Sequence, residues 1–148
     1  MQMRAGAVGL SLAKTSEAEV FAKHGFPDLF IAYPVVSPTK AERLVILSRR
    51  VKLRVGIDSI EGASVLGAAA ARAGEKLCVS LKVDSGFHRV GVAPEEAVSL
   101  ASMLLKDHLG IFIQTEESLR ETSGDFGRED LAGIDAVLAK QIDDFLRA

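Results

Sequence analysis

The sequence predicts an α/β fold of about five parallel strands alternating with helices, a partial (β/α)8 TIM barrel. Three observations predict it. Short runs of apolar and β-branched residues recur at positions 7–13, 29–33, 52–57, 77–83 and 109–113. Between them lie segments whose apolar residues have helical spacing and whose ends carry helix start and stop signals. The whole pattern repeats at intervals of roughly 25 to 30 residues, the length of a strand, a right-handed crossover helix and the return.

Each element has its own reason. Residues 1–5 read as the tail of a helix, and Gly6 stops it because glycine can occupy the left-handed geometry of a C-cap. Residues 7–13 (AVGLSLA) are apolar throughout and read as a buried strand. Thr15 or Ser16 then caps a helix whose first turn holds Glu17 and Glu19, acids favoured by the helix dipole. Ala18, Phe21 and Ala22 share its apolar face, and Gly25 ends it. The run 29–33 (LFIAY) is the next strand, closed by Pro34. Ser37-Pro38-Thr39 opens a helix in which Leu44, Ile46 and Leu47 are apolar and Lys40, Glu42 and Arg43 polar. The strand at 52–57 ends in Asp58-Ser59, which reads as the N-cap of an Ala-rich helix over 60–73 that Gly74 stops. Pro94 and Glu95-Glu96 start the helix that runs to Leu105. Residues 116–128 read as a polar loop, and 131–146 as a last amphipathic helix.

Composition bounds the function. A chain of 148 residues, 48% hydrophobic and without Trp, suits one domain packed by Ala, Val, Leu and Gly. A net charge of -2 offers no general attraction to nucleic acid or to an anionic membrane. No apolar run is long enough to span a bilayer, and no secretory leader pattern opens the sequence. The single Cys78 cannot close an internal disulfide and reads as a buried packing residue. A cytoplasmic location is the expectation. His24, His88 and His108 have no metal-ligand spacing, so no metal site is expected.

Two arrangements compete for this pattern. An open doubly wound sheet, of the kind found in small regulators and anion-binding domains, is complete at five strands. A (β/α)8 barrel needs about 250 residues. The reading starts in a helix tail and stops straight after a helix, which favours an arc of a barrel and a truncated or inactive form. The unpaired edges of such an arc invite homo-oligomers.

The stretch 77–92, LCVSLKVDSGFHRVGV, concentrates the chemistry. Charged groups just past the C-terminal end of a buried strand sit where α/β folds hold ligands. Arg89 offers a permanent cation with a planar fork of donors, suited to a phenolate, carboxylate or phosphate. The bland alternative is an Asp84–Arg89 ion pair capping the loop.

Three segments in register, residues 5–36, VGIDS at 55–59 and VSLKVDSGFHRVGV at 79–92, resemble D-threonine aldolases and D-serine dehydratase-like enzymes of the alanine racemase-like, fold type III group. The resemblance covers residues 5–113. It implies one incomplete alanine racemase N-terminal-like barrel domain over residues 1–148. It also implies pyridoxal 5'-phosphate (PLP) as cofactor and D-3-hydroxy amino acids as substrates of a lyase. The family arginine after D-x-G maps onto Arg89, near the phenolic oxygen of the cofactor ring, with Asp84 and His88 beside it. The family's imine lysine falls on the strand ahead of the matched segments, and Lys14 does not occupy its position. Gln114 stands where the family carries a histidine that stacks on the ring. Glutamine can hydrogen-bond there but cannot stack as an imidazole. The departures point to a non-catalytic form.

Overall fold

The computed structural model describes residues 2–84, 88–106 and 111–113. A 3₁₀ turn at Met3–Ala5 is followed by β1 (Leu10–Leu12), α1 (Thr15–Lys23), β2 (Asp28–Ile31), α2 (Pro38–Ser48) and β3 (Lys52–Ile57). Then come α3 (Ile60–Arg72), β4 (Leu77–Leu81), α4 (Pro94–Lys106) and β5 (Ile111–Ile113). The loop expected at 116–128, the helix expected at 131–146 and Gln114 lie outside the described residues.

The five strands form one sheet in the order β1-β2-β3-β4-β5, and every neighbouring pair is parallel. This order separates the two arrangements that the sequence left in competition. A doubly wound sheet reverses its strand order at a switch point and covers both faces with helices. Here the order never reverses, so right-handed crossovers carry successive helices to the same side. The result is an arc of a barrel.

Burial follows from that winding. Leu29 and Ile31 of β2, Val55 and Ile57 of β3, and Leu77 and Val79 of β4 lie at 0–1% exposure on the helix-facing side. They pack with Ala18 and Ala22 of α1, Ala41, Leu44 and Val45 of α2, Ala63, Leu66 and Ala70 of α3, and Ala97, Leu100 and Leu104 of α4. Each large apolar side chain so buried contributes about 1.5–3 kcal/mol. The small alanines let the helices approach the sheet closely.

The opposite, inner face is different in kind. Ser11, Phe30, Arg54 and Cys78 are successive register partners across β1, β2, β3 and β4. They are half-buried or exposed rather than sealed. Arg54 donates to Asp28 at 2.7 Å and lies 5.9 Å from the Phe30 ring centre. Lys52 approaches the same Asp28 carboxylate at 3.6 Å. This polar cluster occupies the inner face toward the N-terminal end of the strands.

Several local expectations are refined. β1 and β2 are shorter than the apolar runs that announced them, because pairing extends only over Leu10–Leu12 and Asp28–Ile31. The first helix is capped at Lys14 rather than at Thr15 or Ser16. The Glu17 carboxylate folds back to accept from the amides of Ala13 and Lys14 at 3.0 and 3.1 Å, and Thr15 is drawn into the core. Of the apolar residues of α2, Ile46 is 61% exposed, and Val45 lies inside with Leu44 and Leu47. Arg43 of α2 clasps Glu19 of α1 with two hydrogen bonds, one of them 2.7 Å from Nε, which holds the Glu19 carboxyl below its usual range.

Cys78 is half-buried on the inner face, not sealed in the core as its apolar neighbours suggested. Burial pushes its thiol pKa up, with Arg54 and Lys52 opposing and Asp28 adding. Alkylation by iodoacetamide is therefore expected to be slower at neutral pH in the folded chain than in urea, and to accelerate as pH rises. The folded state prefers the protonated thiol, so this group's contribution is present below the free-thiol pKa and is lost as pH rises above it. Equal alkylation rates in the two states would contradict the assignment.

Candidate functional site

The strand-to-helix turns all open at one end of the arc, which is where parallel sheets hold ligands. β1 leads to Lys14, β2 to Tyr33, β3 to Asp58 and Ser59, and β4 to Lys82, Asp84, His88 and Arg89. A cleft of about 390 Å³ opens between the first two of these turns, edged by Lys14, Tyr33, Ser37 and Lys40.

The β4–α4 connection is built as a closed loop. Val83 and Val92 form an isolated parallel bridge across its base. The Val92 amide donates to the Lys82 carbonyl at 2.9 Å, and the Asp84 amide donates to the Val92 carbonyl at 2.9 Å. The Lys82 amide in turn donates to the Ile57 carbonyl at 2.8 Å, which extends the β3–β4 ladder into the loop. Gly91 makes this closure sterically feasible. Its φ is +116°, and a Cβ there would lie 2.6 Å from the Asp84 nitrogen.

Inside the loop the carboxylate of Asp84 accepts from the His88 amide at 3.0 Å and meets the His88 ring at Nδ1, also at 3.0 Å. A carboxylate only accepts, so in the neutral ring the proton sits on Nδ1 and Nε2 is left as an acceptor. His88 has φ +55°, an uncommon left-handed conformation outside glycine, and the double contact with Asp84 holds it there. The His88 side chain is 84% exposed while Asp84 is 17% exposed, so the acid is the anchor and the imidazole the presented group. Arg89 follows directly and is exposed at the same end of the sheet.

The four site residues read from the sequence thus part company. Asp84, His88 and Arg89 share one loop, and the Asp84 carboxylate contacts His88 within it. Gln114 lies outside the described residues. Sequence reasoning gave Asp58 no site role: at a strand end it could line a pocket, but a helix cap was preferred. It was grouped with Ser59 as a helix cap, but Ser59 Oγ alone accepts from Gly62 at 3.2 Å. Asp58 Oδ2 instead accepts from the Gly91 amide at 3.1 Å, across the gap to the next loop. Its position one residue past a buried strand was the available signal. Lys82 was also passed over. Its stem lies across Gly56, where a Cβ would come within 2.9 Å of Lys82 Cδ. Among the described residues no group of three His, Cys, Asp or Glu side chains could hold a metal ion. No described helix is long and apolar enough to cross a membrane.

Comparison with known proteins agrees with this geometry. Residues 1–115 match the family model for the alanine racemase N-terminal domain. An uncharacterized protein of Mycobacterium tuberculosis is 41% identical over 91 residues, which are 61% of this chain and 53% of that protein. A 3-hydroxy-D-aspartate aldolase of Paracoccus denitrificans is 36% identical over 94 residues, 63% of this chain and 24% of the aldolase. The crystal structure of D-threonine aldolase from Filomicrobium marinum superposes with a TM-score of 0.69 at 34% identity, over 76% of this chain and 30% of that one. The chain spans about half the length of the first of these relatives and less of the others.

Proposed function

The chain belongs to the family of the alanine racemase N-terminal domain, and from that premise we propose that it contributes the ring-recognition part of a PLP site acting on D-3-hydroxy amino acids. The observation that carries the reading is Arg89, exposed at the C-terminal end of the arc on a loop closed by backbone hydrogen bonds. The names of its relatives supply the substrate class, since one acts on 3-hydroxy-D-aspartate and another on D-threonine.

The residues present fit the cofactor. This end carries cationic donors, Lys82 and Arg89 on the turn after β4 and Lys14 on the turn after β1. Among the described residues the helices lie on the other face of the sheet, which leaves a flat ring room on the inner one. When bound, PLP supplies a conjugated ring that draws electron density from the α-carbon of the amino acid. The protein's part is narrower. Arg89 would face the phenolic oxygen and favour its anionic form, because a guanidinium cannot give up its charge near neutrality. Asp84 fixes the His88 ring beside it, and Gln114 would offer a hydrogen bond to the ring. The reading concerns ring recognition and gives Lys14 no part in the imine step, because Lys14 follows β1 while the resemblance puts the imine lysine one strand earlier. The outer strands β1 and β5 each have one strand partner among the described residues, and association through those edges is part of the reading.

Pyridoxamine 5'-phosphate tests it, since it keeps the phenolic oxygen and phosphate but has no aldehyde to react with surface lysines. The chain is expected to bind it saturably, and Arg89→Ala is expected to weaken binding at least about tenfold, the loss of a charge-assisted contact. Calorimetric titration of both proteins decides. Equal affinity in wild type and Arg89→Ala would sink the proposal.

A further inference from the structure

We propose that Asp58 is the positioning residue for the loop that presents Arg89, an assignment that rests on the reading of Arg89 above. Three independent observations carry it. Asp58 is not occupied with its own helix, because Ser59 caps α3. Its carboxylate instead accepts the Gly91 amide at 3.1 Å, reaching from the end of β3 to a residue 33 positions along the chain. Gly91 is also the residue whose φ of +116° lets the loop close.

The consequence is mechanical. The loop base is tied to β4 through Lys82 and Asp84, which contact Val92. The outgoing limb is also held to β3, where the Lys82 amide donates to the Ile57 carbonyl. The Asp58 hydrogen bond gives the returning limb, at Gly91, its own attachment at the end of β3. With both limbs held, the orientation of the loop is defined as it is not by one limb alone. Arg89 lies two residues before Gly91, so its backbone moves with that attachment. A charged acceptor is the effective choice here, because a hydrogen bond to a carboxylate is stronger than one to a neutral oxygen.

Asp58 is placed so that its loss should be felt at Arg89 without unfolding the chain, since it is half-buried and outside the hydrophobic core. In the full chain, Asp58→Ala is expected to speed amide hydrogen exchange at Gly91 about tenfold and to weaken pyridoxamine 5'-phosphate binding by a similar factor. Asp58→Asn keeps an oxygen that can accept and should recover most of both losses, which a merely structural acid would not predict. If Asp58→Ala fails to fold, Asp58→Ser, whose hydroxyl is too short to span the gap, replaces it. Unchanged Gly91 exchange in the alanine or serine variant overturns the assignment. Faster exchange with undiminished binding also overturns it, provided Arg89→Ala has lost binding. If Arg89→Ala binds as wild type does, the ring-recognition reading fails instead, and the role of Asp58 toward the cofactor falls with it.

Discussion

Replacing Gly91 with alanine is expected to cost the chain about 3 kcal/mol and to dismantle the loop that carries Arg89. Two penalties combine at this position. The backbone stands at φ +116°, where an L side chain is strained whatever the space around it. The added methyl would also lie 2.6 Å from the Asp84 nitrogen and 2.8 Å from the Val83 carbonyl carbon. Both are backbone atoms that cannot rotate aside, and both belong to the bridge that closes the loop. Gly74→Ala is the control. Gly74 also has a positive φ, +66°, but nothing lies within 4 Å of its would-be Cβ. Only the conformational penalty applies there, about 1 kcal/mol. Urea denaturation of the two variants should therefore show a markedly larger fall in midpoint for Gly91→Ala at an unchanged slope. Equal falls would mean that the close approach at Gly91 carries no energetic weight.

Leu66→Ala is expected to be as costly, by about 3 kcal/mol, which for a domain of this size lowers the melting temperature by roughly 10 °C. Leu66 is fully buried on α3. That helix packs against α2, α4, β4 and β5, so a void there borders both the helix layer and the sheet. Its buried neighbours on the same helix are mostly Ala and Gly, which have no length with which to fill the space. A conservative Leu66→Met keeps the volume and should cost less than about 1.5 kcal/mol. A thermal melt that leaves Leu66→Ala within 2–3 °C of wild type, well short of the fall expected from the transfer and cavity costs, would contradict this picture of the core.

Much of this was legible beforehand because the signals are local. Gly6 ends the first turn with φ +96°, as a C-cap glycine should. Pro94 opens α4, and Ser59 caps α3 through its own hydroxyl. Each of these depends on residues a few positions apart. Ile46 shows the limit of such reasoning. It lies between Val45 and Leu47, and which of three consecutive apolar residues faces water depends on how α2 is rotated against the sheet. Lys14 is a second case. The cap position was displaced because Glu17 satisfies the helix start from within, leaving Thr15 to be buried.

The site divides in the same way. Arg89, Asp84 and His88 fall within six residues, and a strand followed by D-x-G-x-x-R is visible as text. What the text does not show is the Asp84–His88 contact, which depends on the left-handed backbone of His88.

By itself the sequence determined the alternation of strands and helices, most of their boundaries, the family, and the cation at the end of β4. These follow from periodicity, capping chemistry and motif, all of which act over a few residues. Only the tertiary structure decided that the strands run in unbroken order with helices on one face, that Cys78 and Arg54 share the opposite face, and that Asp58 reaches Gly91. The physical reason is that winding and hydrogen bonds between loops depend on where separate strands come to rest side by side. That is set by packing of the whole core and is written in no single stretch of the chain.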